Sequence, residues 1–375
     1  MPALAFFHAS RRCLALGLVA GPVLAMAQTP PTPATAPASP EPAWRQANES
    51  VGQFQRGHAD LLKWEQGQAP VAAQVPAAMP DFALATAEQA VRQAWRAHRE
   101  LARPLAILGA AKADLLAAGR WLELDPGLNW RIDDFGELLE VAVQARKTWI
   151  DAVASQQALG PLRKQLAAAE AAQELGQRMV NVGNWSPLQL AQVQLQLANA
   201  RMSLHRTQYA AAQAQARLLK TLELNGIQAA VGLPDQLPEL PADVMTEAEF
   251  QRRLAAIQSE LPRGNRLRNQ ADAPLAFEAY QASHAVARGT RDEVLKRREF
   301  IAEETVLHYN GMLKSTWDLL GEVQNQSQAQ AGALAARRDF ELARIDLHWL
   351  LLGGEPASLL SLGAGSGETT QSAGH

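Results

Sequence analysis

Apolar residues return every three or four positions along most of this chain, and the runs that do so are long. From Thr86 onward Ala90, Ala94, Ala97 and Leu101 keep helical spacing, and Thr86 with Gln89 three residues on reads as a capping box. Pro104 breaks or kinks that run, and a second piece goes on to about Ala118. A long helical segment over 137–182 follows, with a break predicted at Gly160-Pro161. Ser186 as N-cap with Pro187 at the first helical position opens the next helix, because proline's missing N–H is not needed there. That helix carries Leu190, Val193, Leu197, Ala200, Leu204, Ala211, Ala214, Leu218 and Leu222 on one narrow seam and stops at Asn225-Gly226. About 38 residues span ~57 Å, far beyond the three turns of an average globular helix, so it belongs to a bundle or coiled coil. Its remaining positions are mostly glutamine, which suits a wet lumen, a packed polar interface or plain solvent.

A connector with Leu233-Pro234, Leu237-Pro238 and Leu240-Pro241 leads to Thr246, which caps a short helix with Glu249 three residues on and runs to Leu261. Two more long helices are predicted over 274–308 and 314–352, the last stopped by Gly353-Gly354 and Pro356. The halves share one plan: a long helix, a glycine-containing tip (Val182-Gly183 or Asn310-Gly311), and a second long helix ending at glycine. The two tip glycines lie 128 positions apart, a period that means a duplicated hairpin rather than a solenoid of short units. The expected fold is all-α: long antiparallel helical hairpins in a duplicated coiled-coil bundle. At most one small β-hairpin near 121–133 turns about Asp125-Pro126-Gly127. The repeats occupy 81–232 and 246–354, with the Pro-rich connector at 233–245 between them.

The N-terminus changes the setting. Arg11-Arg12, the apolar run Leu14–Ala20 and the Ala25-Met26-Ala27 ending predict a signal peptide over 1–27, too short to span a bilayer, and hence an exported, periplasmic or outer-membrane protein. Residues 28–80 form a Pro/Ala-rich tether with one short helix at 44–64, and 355–375 a polar tail without the bulk to bury a core. The only cysteine, Cys13, precedes the apolar run, so the mature chain would carry no disulfide, thiolate metal site or cysteine nucleophile. Cleavage after Ala27 would remove Arg11 and Arg12 and take the net charge from −3 to −5. With 47% hydrophobic and 19% charged residues and no basic stripe, nothing points to nucleic acid.

Reaction chemistry is missing from the pattern. There is no nucleophile–base motif, phosphate-binding glycine loop or HExxH, and six of the eight histidines (His58, His98, His205, His284, His308 and His348) are scattered along different helices. His58 and Asp60 make at best a weak metal pair, so no enzyme activity, cofactor or metal is expected. Trp185 and Trp317, near the two tips, read either as anchors for a partner or as core.

The segments around the tips carry a family likeness. The stretch AAQELGQRMVNVGNWSPLQLAQVQLQLANARMSL resembles the first-repeat hairpin of the TolC-like outer-membrane efflux proteins, with a tip glycine, a Ser/Thr cap and an amphipathic return helix. RREFIAEETVLHYNGMLKSTWDLLGEVQNQSQAQAGALAARRDFELARIDLHWLLLGG resembles the second-repeat counterpart, and RELARPLAILGAAKADLLAAGR the family's first helices. WRQANESVGQFQRGHADLLKWE is similar to an N-terminal piece of relatives associated with copper resistance. The resemblance covers 86–354 and implies a homotrimer, a periplasmic helical tunnel, and docking of the adaptor protein of a tripartite pump at the tips. It places docking on Val182, Gly183, Ser186, Asn310, Gly311 and Met312, and an acidic tunnel constriction on Asp318 and Glu322. The family also supplies membrane strands between the long helices of each repeat. Here those positions hold WLELDPGLNWRIDDF and PRGNRLRNQADAP, neither with the 9–11 alternating residues (roughly) that a spanning strand needs. The expected molecule is therefore an efflux component reduced to its periplasmic helices, or a non-transporting periplasmic scaffold built on the same helices.

Overall fold

The computed structural model describes residues 82–359; the predicted signal peptide, the tether with its 44–64 helix, and most of the C-terminal tail lie outside them. Most of the described residues are helical, the long connector between Thr221 and Glu247 being irregular. Eleven α-helices are present: α1 Ala87–Ala97, α2 Ala102–Leu108, α3 Ala110–Ala118, α4 Leu128–Arg131, α5 Phe135–Gln157, α6 Leu159–Asn181, α7 Pro187–Thr221, α8 Glu247–Glu260, α9 Arg263–Gly289, α10 Lys296–Asn310 and α11 Thr316–Leu350. A π-helical turn, Thr290–Leu295, joins α9 to α10. Extended pairing among these residues is confined to one isolated bridge, Ala83 with Gly232, where Leu84 N–H donates to Gly232 O at 2.7 Å. None of the described helices is long and apolar enough to cross a membrane.

The cap signals mark real helix starts. Thr86 and Ser186 each close a reciprocal capping box with the glutamine three residues on, and the Thr246 side chain accepts from Glu249 N–H. Three expectations give way. The break expected at Gly160-Pro161 falls at Ala158, and both residues sit in the first turn of α6, where proline leaves no hydrogen bond unmade. The small hairpin expected near 121–133 is a 3₁₀ turn (Trp121–Glu123) followed by α4. Its buried residues, Trp121, Leu124, Leu128, Ile132 and Phe135, recur at helical and not alternate spacing. The polar stretch after Pro262 is the opening of α9, which runs through Pro274 instead of starting there. Ala273, Ala276, Phe277 and Tyr280 are buried on that helix, and Asn269 donates its amide to Leu350 O at 2.9 Å, so tertiary packing outweighs the proline.

Four long rods make the body: α5 with α6, α7, α9 with α10, and α11. α7 packs on α5 and α6; α11 packs on α5 and α6 and also on α9 and α10. Two apolar clusters result, and α11 belongs to both. Leu342, Ile345 and Trp349, with Leu352 just past the helix, join the cluster built around α1, α3, α5 and α7, whereas Ala336, Phe340, Ala343, Leu347 and Leu350 join the one built around α8 and α9. Each set follows the three-four spacing of a coiled-coil seam. Two ion pairs stitch the same contact: Lys147 with the buried Asp346, and Arg338 Nε to Asp151 at 2.6 Å.

Candidate functional site: the paired helix tips

Two of the chain's reversals, between α6 and α7 and between α10 and α11, are closed by the same hydrogen bonds. At the first tip Gly183 N–H donates to Val180 O at 2.9 Å and Asn184 N–H to Met179 O at 2.9 Å. At the second, Met312 N–H donates to Tyr309 O at 3.0 Å and Leu313 N–H to His308 O at 2.8 Å. Both are Schellman closures, which need a left-handed residue just past the helix. Gly183 fills that place at φ 79°, and Met312 fills it at φ 61°. Gly311 has φ −81° and sits one position earlier, equivalent to Val182, so pairing the two glycines misaligns the repeats by one residue. Serines then start both return helices. Ser315, unmarked as a cap in the sequence reading, forms a reciprocal capping box with Asp318 as Ser186 does with Gln189. Its Ser-x-x-Asp spacing is the signal that sequence reasoning passed over.

The two tips lie side by side. The Trp185 and Trp317 rings stack with centroids 4.3 Å apart and planes 27° from parallel. Gly176 on α6 makes room for the stack, since a Cβ there would lie 3.1 Å from the Trp185 ring. The sequence could not choose between anchor and core for these tryptophans; the structure pairs them with each other. Around them Val182, Leu188, Met312 and Leu313 project apolar surface, Met312 at 93% exposure. Ser186 and Asn310 are exposed as well, so the six predicted tip residues gather at one end of the bundle.

The two acidic residues have local duties. Asp318 accepts from Ser315 N–H at 2.8 Å and Ser315 Oγ at 2.7 Å, and these bonds hold its carboxyl below the usual range. Glu322 is 7% exposed, faces Arg298 at 3.5 Å between α10 and α11, and keeps one oxygen without a hydrogen-bond partner. Asp318 therefore presents its carboxyl to solvent at the tip, and the Glu322 side chain is packed inside. No group of three His, Cys, Asp or Glu among the described residues is placed to hold a metal ion. His284 Nε2 lies 3.0 Å from Pro241 O, and burial, with Arg344, Arg253 and Arg146 adding, drives the His348 pKa down to about 3.

No family model matches the chain, and no curated protein does. Among solved structures it is similar to CusC, in crystal structures of the conformational changes accompanying folding and transmembrane channel formation (13% identity, TM-score 0.40, 72% of this chain and 91% of that one). It is also similar to a membrane protein from Pseudomonas aeruginosa (13%, TM-score 0.41, 64% and 73%) and to the outer-membrane channel OprN (14%, TM-score 0.38, 65% and 70%). Likenesses this loose carry no argument about activity.

Proposed function

We propose that this chain is a reduced efflux component, a periplasmic helical bundle that assembles with copies of itself, as a trimer, and receives an adaptor protein at its paired tips. The observation that carries the reading is an unused seam on α7. Val193, Leu197, Ala200 and Leu204 are buried toward its own hairpin, while Leu188, Leu195, Met202 and Tyr209 lie exposed at strict seven-residue intervals on the other side. α7 and α11 are both 35 residues long and occupy equivalent places in the duplication, yet α11 has both of its seams covered. An unpartnered second seam calls for a helix from another copy. The opposite flank supplies one: Val294, Phe300, Ile301 and Leu307 are exposed on α10 and its leading turn. Two different flanks meeting head to tail form a heterologous contact, which closes into a ring if the rotation allows.

Adaptor docking rests on the tips. Val182, Gly183, Ser186, Asn310, Gly311 and Met312 offer an apolar, backbone-rich end suited to a helical hairpin. Asp318 is the acidic side chain available to a constriction there; Glu322 would have to leave its packed position to join it. Light scattering tests the assembly. The Leu195→Glu/Met202→Glu variant should scatter as a folded monomer, and a wild-type protein that is itself monomeric at tens of micromolar (roughly) would sink the ring reading. For the adaptor, the Val182→Asp/Met312→Asp variant should lose binding to the hairpin.

A second reading keeps the helices and drops transport. Both segments where the resemblance would place strands are helical here, as α4 and as the start of α9, which favours a non-transporting scaffold. Complementation of an efflux-deficient strain separates the two.

A further inference from the structure

Below the stacked tryptophans, α6, α7 and α11 line an open groove of about 360 Å³, with Gln189, Gln192 and Gln196 on its exposed rim. Gln165, Gln189, Gln192, Gln196 and Gln324 line it, Ala172, Val193 and Ala200 are its buried floor, and no acidic, basic or histidine residue takes part. Of the five glutamines only Gln189 has its side chain engaged, in the Ser186 cap; the other four make no hydrogen bond with the described residues. Trp185 and Trp317 close one end.

From this lining we infer that the groove is a binding site for a neutral carbohydrate, a mono- or disaccharide unit whose hydroxyls pair with the glutamine amides while a pyranose face meets indole. The inference is independent of the adaptor reading. A carboxamide carries both donors and an acceptor, as a sugar hydroxyl is both at once, so one glutamine can satisfy either orientation. An ionic ligand would find no opposite charge, and a purely apolar one would strip water from the amides without replacing it. The small side chains of Ala172 and Ala200 on the floor let a flat ring approach the helix backbones closely. The tryptophan wall is already fixed, Trp185 being held between Gly176 and Trp317, so little ordering is needed on binding. The volume falls within the ~300–1,000 Å³ of ordinary small-ligand sites.

The test is calorimetric titration of the full chain with N,N′-diacetylchitobiose, with N-acetylneuraminic acid as an anionic control. Saturable binding of the first, at least tenfold weaker for the second, is expected. The Gln192→Leu/Gln196→Leu variant, chosen because these side chains make no internal bond, should keep the wild-type thermal transition and lose binding tenfold or more. Trp317→Ala provides an independent second loss. Retention on chitin beads in addition to chitobiose binding would identify a polymer chain as the source, and chitobiose binding alone a free sugar. No saturable heat at millimolar chitobiose, or equal binding by the glutamine variant, would overturn the proposal.

Discussion

Gly183 and Met312 occupy one backbone conformation with opposite consequences for substitution. A left-handed residue with a Cβ costs ~1–2 kcal/mol, and that cost is worst when the side chain is β-branched. Gly183→Val should therefore lower stability by about that amount in a chemical-denaturation midpoint. Met312→Gly, at a 93% exposed position that buries nothing, should be neutral or raise it by up to ~1 kcal/mol. Lys147 behaves differently because its partner is buried. Removing it as Lys147→Met leaves the Asp346 carboxylate without its cation, a loss of about 3–5 kcal/mol, and adding Asp346→Leu should recover most of that. His348 sets a pH dependence. It stays neutral in the folded state down to about pH 3, while an unfolded histidine takes a proton below about 6.5. The unfolded state thus binds more protons across that window, and stability contributed by His348 falls as pH drops. Buried Glu341 and Asp346, whose carboxyls burial pushes up, act in the opposite sense at the lower end. The melting temperature of the wild type should fall more between pH 7.5 and 5 than that of His348→Gln; equal falls would refute the assignment.

The π-helical turn at Thr290–Leu295 decides which face of α10 looks outward. Ala287 is buried above it; below it the inward positions resume at Leu295, Arg298, Ala302 and Thr305, one residue late for an unbroken α-helix. The inserted residue swings Val294 and Ile301 outward, although an uninterrupted helix would direct them at α11. Deleting the exposed Glu293 should restore plain α-helix, bury Val294 and Ile301, and give a folded protein that no longer self-associates by light scattering. An unchanged oligomer would mean that the outward α10 face is not the contact. A one-residue register shift of this kind was not legible in the sequence, because 3.6-residue periodicity over a short window tolerates it. Capping residues, by contrast, act through their own side chains, so Thr86, Ser186 and Thr246 could be read directly.

Across the molecule, what the sequence disclosed was local and what it concealed was relational. The helical class, the two tips and the alanine-rich seams follow from spacing alone. That Trp185 meets Trp317, that Gly176 makes room for them, and that Met312 rather than Gly311 is the counterpart of Gly183 depend on how the halves come together. The segment after Trp121 misled because a proline-glycine pair resembles a hairpin turn, whereas its buried residues keep helical spacing. The shared helix α11 has a consequence for the order of events during synthesis. It completes both apolar clusters, and the Lys147–Asp346 pair joins positions 199 residues apart. Contacts that distant form late and slowly, because the intervening chain must first give up its freedom. The first hairpin consequently emerges with its core unfinished and its apolar face open, and stays so until the last long helix arrives. A chain cut short before residue 334 should be found bound to chaperones or degraded, not as a stable half-molecule.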